Sequence, residues 1–193
     1  MKITLVARDA ELARAWRDAF EDADDVAVVQ DDYFAHPADA MVSPANSFGI
    51  MDGGLDDGGL DLAIRDALGF AIQGRVQRAI IERHHGELPV GCAEIVETGD
   101  ARWRHLVIAP TMRIPESVAQ TMNAYLAFRA ALLACTRASI GSLVCCGLAT
   151  GIGQMEPQRC AVQMRLAYLH VAGPARIPSF ARIHAVHQAL RTA

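Results

Sequence analysis

The strongest constraint on the fold is an alternation of two lengths: short apolar runs of strand length recur between segments whose apolar positions fall at helical spacing. Lys2 to Val6 alternates like a short strand. Asp9 to Phe20 puts Leu12, Trp16 and Phe20 on one helical face, with Asp9 as its N-cap. Val26 to Val29 and Asp39 to Val42 are further strands, the second stopped by Ser43-Pro44, because proline cannot donate to a ladder. Leu60 to about Leu68 and Ile72 to Arg83 read as helices, with a break at Gly69 or Gly74. A turn-rich connector, 86–91, leads to strands at Cys92 to Glu97 and His105 to Ala109. Val118 to Cys135 reads as one long, alanine-rich helix. After a strand at Ser142 to Cys146, Pro157 opens a helix through about His170, and Phe180 to Leu190 forms a last one. Strands alternating with helices imply an α/β sandwich around a mixed, mainly parallel sheet.

Length and composition narrow the class. The 193 residues suit one domain with a sizeable core, and no linker interrupts them. Hydrophobic residues make up 52% and charged residues 21%, which describes a compact chain and not a disordered one. A formal net charge of -4 without a dense Lys/Arg block argues against direct nucleic-acid binding. No apolar run reaches membrane-spanning length, and Arg8 and Asp9 interrupt any signal-peptide core, so a cytoplasmic location is expected. The cysteines Cys92, Cys135, Cys145, Cys146 and Cys160 lack CxxC spacing and read as reduced, packed thiols.

Two glycine loops follow strand ends and lead into helices: residues 42–61, VSPANSFGIMDGGLDDGGLD, and Gly147 to Gly153. Glycine lets a backbone approach a bulky anion, and a helix N-terminus behind it offers unpaired N–H groups and a positive dipole end. Two such loops can grip one diphosphate from opposite sides. Neither is an NTPase phosphate loop, since no GK[ST] follows, and the first βα turn has no glycine for a dinucleotide fingerprint. The carboxylates Asp52, Asp56, Asp57 and Asp61 fit no calcium loop. His84, His85, His184 and His187 lack a matching zinc set, so neither metal nor cofactor is expected. Met112, Met122, Met155 and Met164 read as core filler, Trp16 and Trp103 as packing residues, and Arg113 as either a binding-face or a solvated residue.

These residues resemble the macro domains, which bind ADP-ribose and often hydrolyse its conjugates. The match lies in Asp39 to Ser47, in GG-Leu-Asp-x-Ala-Ile over 58–64 and in Thr150 to Gly153; it covers roughly 25 to 172. It looks closest to a bacterial and phage branch carrying the strings SPANSFG, here Ser43 to Gly49, and APTMR, here Ala109 to Arg113. The resemblance implies a three-layer α/β/α fold with the ligand across the top of the sheet. Asn46, beside Ser47, matches the asparagine that contacts the distal ribose. Gly53, Gly54, Gly58 and Gly59, with Gly147, Thr150, Gly151, Ile152 and Gly153, match the diphosphate cradle. Asp31 or Asp32 falls where the family places an acid that reads the adenine amino group.

The aspartate of GG-Leu-Asp matches one that holds or activates water in hydrolase members. That motif occurs twice here, at 53–56 and 58–61. Counting from Asn46 selects Asp56, whereas counting back from Ala63-Ile64 selects Asp61, favoured because it opens a helix within LDLAI. Ile152-Gly153 stands where an aromatic residue is common in the family. The expected function is ADP-ribose binding with hydrolysis of an ADP-ribosyl conjugate. Its alternatives are a non-catalytic ADP-ribose or nucleotide module and a phage-derived structural protein that keeps the fold. The expected partner is ADP-ribose or an ADP-ribosylated substrate, with no membrane.

Overall fold

The structure is a computed structural model that describes residues 1–52 and 59–192. Among these, strands β1 (Lys2–Ala7), β2 (Val26–Gln30), β3 (Ala38–Ser43), β4 (Glu94–Glu97), β5 (Trp103–Ile108) and β6 (Ser142–Cys145) form one sheet in the order β2-β1-β6-β3-β5-β4. Every neighbouring pair is parallel except β4 with β5 at one edge. The inner strands are apolar at consecutive positions. Leu5 and Val6, Met41 and Val42, and Leu106 and Val107 are all buried, and because successive side chains point to opposite faces, both faces must be covered.

Handedness decides how they are covered. From β1 the chain moves toward one edge through α1 (Ala10–Ala19) to β2. From β3 it moves the other way through α2 (Leu60–Leu68) and α3 (Ala71–His84) toward β5, and α4 (Asn123–Arg137) returns it to β6. Right-handed crossovers in opposite directions place α1 and α4 on one face and α2 and α3 on the other. The packing agrees: α5 (Pro157–Ala172) lies between α1 and α4, α2 touches α3 and β3, and α6 (Phe180–Thr192) rests on α5. The result is the expected three-layer α/β/α sandwich with Trp16, Trp103 and Phe128 fully buried in its core. No helix among the described residues is long and apolar enough to cross a membrane.

Three local departures have physical causes. The helix expected from Val118 begins only at Asn123. Thr121 turns back instead, its N–H and hydroxyl both donating to the Val118 carbonyl while its Oγ1 accepts from Asn123 N. A hydroxyl that competes for backbone groups in this way delays a helix. β4 starts at Glu94 rather than Cys92, because Cys92 N closes a turn on the Pro89 carbonyl, with Gly91 at φ +95°. The α2–α3 break falls at Gly69, φ +88°, while Gly74 sits inside α3.

One feature was not anticipated. β3 and β6 pair only at Ala40–Leu143 and Met41–Val144. Where they separate, the hydroxyl of Tyr33, on a single 3-10 turn (Tyr33–Ala35), accepts from Val42 N at 3.0 Å and donates toward the carbonyls of Val42 (2.7 Å) and Val144 (3.1 Å). The buried phenol satisfies the groups left over as the strands part. A crevice therefore opens above β6, between strands whose connections diverge, which is where open α/β sheets collect ligands.

Candidate ligand-binding site

A cavity of about 490 Å³ occupies this crevice. Loops after all five parallel strands line it: Arg8 and Asp9 after β1, Asp31 to Phe34 after β2, Pro44 and Asn46 after β3, Thr111 and Met112 after β5, and Gly147 to Gly153, with a gap at Leu148, after β6. The start of α2, from Gly59 to Asp61, closes one end, and Val6, Ala7 and Cys146 line the sheet side.

Asn46 organises the first loop. Its Oδ1 accepts from Phe48 N (3.1 Å) and Ile50 N (3.3 Å), and its Nδ2 donates to the Ile50 carbonyl at 2.8 Å. The side chain thus holds its own loop in shape, and one of its two N–H groups is accounted for among the described residues. Ser47, although adjacent, does not line the cavity; it is buried, and its backbone ties to Arg113 and Leu88.

Asp61 is the second residue of α2, after the N-cap Gly59. Burial pushes its carboxyl above the ordinary carboxylate range, and the charge of Asp52 adds to this; the N–H groups of Leu62 and of Asp61 itself, and Arg65, pull the other way. A carboxylate that is only partly solvated yet still ionisable is suited to hold or deprotonate water. A Cβ built on Gly59 would lie 2.8 Å from Asp61 Oδ1 and 3.3 Å from Ile152 Cδ1, so the two glycine loops meet at this point. Gly53, Gly54, Asp56 and Gly58 fall outside the described residues.

The second loop is held in an unusual shape by glycine and by strain. Ala149 and Gln154 have φ of +64° and +54°, a region that residues bearing a Cβ seldom adopt. Gln154 N bonds to the Gly151 carbonyl and Met155 N to that of Ala149, each at 2.9 Å. A Cβ on Gly153 would collide with the Ala149 carbonyl and sit 2.8 Å from Val118 Cγ2, whereas one on Gly151 would meet nothing within 4 Å. Gly153 is therefore needed for packing and Gly151 is open to the cavity. Among the described residues, the N–H groups of Thr150, Gly151, Ile152 and Gly153 find no acceptor. Successive unpaired N–H groups on a concave loop form an anion-binding nest.

The two acids after β2 differ. Asp32 caps the 3-10 turn, accepting from Phe34 N at 3.0 Å and from Arg8 Nη2 at 2.7 Å. The Phe34 bond, then Arg8, hold its carboxyl below the ordinary range. Asp31 accepts from Asp32 N at 2.7 Å and pairs with His36 Nε2 at 3.1 Å. Phe34 lies edge-on to Tyr33 and Trp103, placing an aromatic ring beside these carboxylates. Acids, an arginine and an aromatic ring at one end suit a flat, polar heteroaromatic group, while the loop amides in the middle suit phosphate. Sequence reading missed Arg8, Tyr33, Phe34 and Cys146. Strand-end position marks all four, but only the completed sheet order brings them together.

The remaining residues play other parts. Arg113 lies off the cavity, in a two-pronged pair with Glu87 (2.8 and 3.0 Å) and over the Phe48 ring. Met112 lines the cavity, whereas Met155 and Met164 fill the core. His84 pairs with Glu94 at 2.8 Å. Cys135, Cys145, Cys146 and Cys160 are buried and Cys92 is exposed; burial pushes the Cys135 and Cys160 thiols up to about 12.

Comparison with known proteins supports the architecture. The family model of the macro domain matches residues 42–164. An uncharacterized protein of Aeropyrum pernix is 32% identical over 130 residues, which are 67% of this chain and 63% of that protein. The fold resembles the macrodomain of Mycobacterium tuberculosis DarG (TM-score 0.60, 17% identity, covering 72% of this chain and 86% of that one). It also resembles a mutant Oceanobacillus iheyensis macrodomain solved with ADPR (TM-score 0.58, 16% identity, 79% and 84% covered). At such identities these likenesses are of fold, and the matched family model covers both glycine loops, Asn46 and Asp61. The chain belongs to the macro domain family.

Proposed function

We propose that this chain binds ADP-ribose across the carboxyl ends of its strands and hydrolyses the bond joining the distal ribose to a carrier. The observation that carries the reading is the continuity of one cavity from Asp31 and Phe34, past the unpaired amides of Thr150 to Gly153, to Asn46 and the partly desolvated Asp61. The base end of the ligand would lie against Phe34 with Asp31 at its polar edge. The diphosphate would accept from the second loop and from the start of α2. The distal ribose would then meet Asn46. The relatives support this, since the mutant Oceanobacillus iheyensis macrodomain was solved with ADPR and a Thermosipho africanus DarTG in complex with ADP-ribose.

In the hydrolytic step, Asp61 accepts a proton from water as the water oxygen bonds to the anomeric or acyl carbon. The bond to the carrier breaks, and the departing heteroatom takes up the proton: the carrier's own atom after attack at the anomeric carbon, the ribose oxygen after attack at an acyl carbon. General-base assistance of this kind is worth about 10²–10⁴-fold. Ile152, in place of an aromatic residue beside the distal ribose, favours a second reading in which the module binds ADP-ribose without cleaving it.

Two measurements separate these. Titration calorimetry should give saturable heat with ADP-ribose, and its absence at millimolar ligand sinks both readings. A de-ADP-ribosylation assay on wild type, Asp56→Ala and Asp61→Ala should show turnover lost in Asp61→Ala and kept in Asp56→Ala. Binding without any wild-type turnover leaves only the non-catalytic module, and the reverse pattern moves the water-holding role to Asp56.

A further inference from the structure

The last helix is joined to the second glycine loop by a chain of buried polar contacts. Arg159, third residue of α5, is buried, and its guanidinium donates to the carbonyls of Arg191 (3.3 Å), Leu190 (3.3 Å) and Gln120 (3.4 Å). The first two belong to the last turn of α6, where carbonyls lack helical partners and the dipole favours a cation. Gln163, one turn further along α5 and fully buried, donates to the carbonyls of Thr121 (2.8 Å) and Leu190 (3.4 Å) and accepts from Tyr125 N. Both side chains thus clamp the end of α6 and the 118–121 turn onto the start of α5. That turn reaches the loop directly: Val118 N donates to the Gly153 carbonyl at 2.9 Å, and Val118 Cγ2 packs where a Gly153 Cβ would stand. Of the side chains on α6, only Leu190 is buried.

We propose that Arg159 is a positioning residue for the anion-binding loop: docking of α6 through Leu190 and Arg159 holds the 118–121 turn, and that turn holds Gly153 and the amides of 150–153 in their nest. This rests on the ADP-ribose reading for its effect on affinity but not for its effect on the loop. The loop's left-handed Ala149 and Gln154 are conformations that persist only when neighbours impose them. Removing the clamp therefore relaxes the nest, although no clamp residue lines the cavity.

The test uses full-length Arg159→Met, Arg159→Lys and Leu190→Ala, with two readouts. Amide hydrogen exchange without ligand should speed up at the paired N–H groups of Val118, Gln154 and Met155 in Arg159→Met and Leu190→Ala, leave the β1 amides unchanged, and return toward wild type in Arg159→Lys. ADP-ribose affinity should fall about 3–30-fold in the first two variants, the range for changes along a coupled network, and by no more in the double variant. Exchange that rises equally in β1, or that stays at wild-type rates at Val118, Gln154 and Met155, overturns the proposal. So does ADP-ribose affinity that stays within twofold of wild type. Should Arg159→Met fail to fold, Leu190→Ala decides alone, since it leaves the guanidinium in place. Failure of wild type to bind ADP-ribose with faster exchange in the variants would sink the ligand reading and keep the clamp.

Discussion

Asp61 is where burial and chemistry meet. Its carboxyl is raised above the ordinary 3.8 chiefly because the start of α2 and the facing loop withhold solvent from it, and Asp52 adds like charge. A raised folded-state value means the folded chain holds this proton more tightly than the unfolded chain. The resulting stability is fully present below pH 3.8 and is lost as the pH rises through the folded-state value, so ionised Asp61 weakens the fold at neutral pH. Asp61→Asn should therefore raise the melting temperature at pH 7, with the gain vanishing as the pH falls toward 3.8, while turnover drops about 10²–10⁴-fold. Wild-type turnover should fall on the acid side with its midpoint above 3.8. Differential scanning fluorimetry across pH with a parallel rate profile checks both, and a lower melting temperature for the variant at neutral pH would overturn the burial argument. Sequence alone favours Asp61 over Asp56 only through its helix-opening context LDLAI. The doubled GGLD satisfies the spacing from either side, and desolvation at a helix start exists only once the opposite loop is folded against it.

The second loop shows which element-level demands a sequence states and which it conceals. Its glycines are visible as letters, but their reasons differ. Gly153 is boxed in by Ala149 and Val118, while Gly151 faces open space. Gly153→Ala should cost about 1–3 kcal/mol of stability through overpacking. Gly151→Ala should stay within about 0.5 kcal/mol of wild type, as exposed substitutions do. Its new methyl group would nonetheless intrude on the nest, so ADP-ribose affinity should drop in calorimetry while urea melts remain unchanged. Equal stability losses in the two variants would refute the distinction. Elements with strong periodicity, such as α1 with Leu12 and Trp16 inward, were legible from the sequence alone, as was the Pro157 start of α5. The late start of α4 at Asn123 was not, because it depends on Thr121 turning back to the Val118 carbonyl. Nor was Tyr33, whose phenol acts only where β3 and β6 part company.

At the scale of the whole molecule, the alternation of strand and helix implied the class of fold, but the strand order β2-β1-β6-β3-β5-β4 brings distant loops to one cavity. Residues 8, 31, 46, 61 and 151 share it because β6, last in the sequence, inserts between β1 and β3. Such a cavity exists only in the folded sheet, so a ligand spanning it binds the native state alone and stabilises it by mass action. At one hundred times its Kd this amounts to about 2.7 kcal/mol. For a domain of this size, that corresponds to a rise in melting temperature of about 5–11 °C. The ligand's two ends are predicted to contribute separately, one at Asp31 and Phe34 and the other at Asn46 and Asp61. AMP and ribose 5-phosphate, each able to fill only one end, should therefore give smaller shifts than ADP-ribose at equal concentration. Asp31→Asn should reduce the shift from AMP and leave that from ribose 5-phosphate unchanged. If AMP alone reproduces the full ADP-ribose shift, the distal end contributes no binding, and a catalytic role for Asp61 loses its substrate contact.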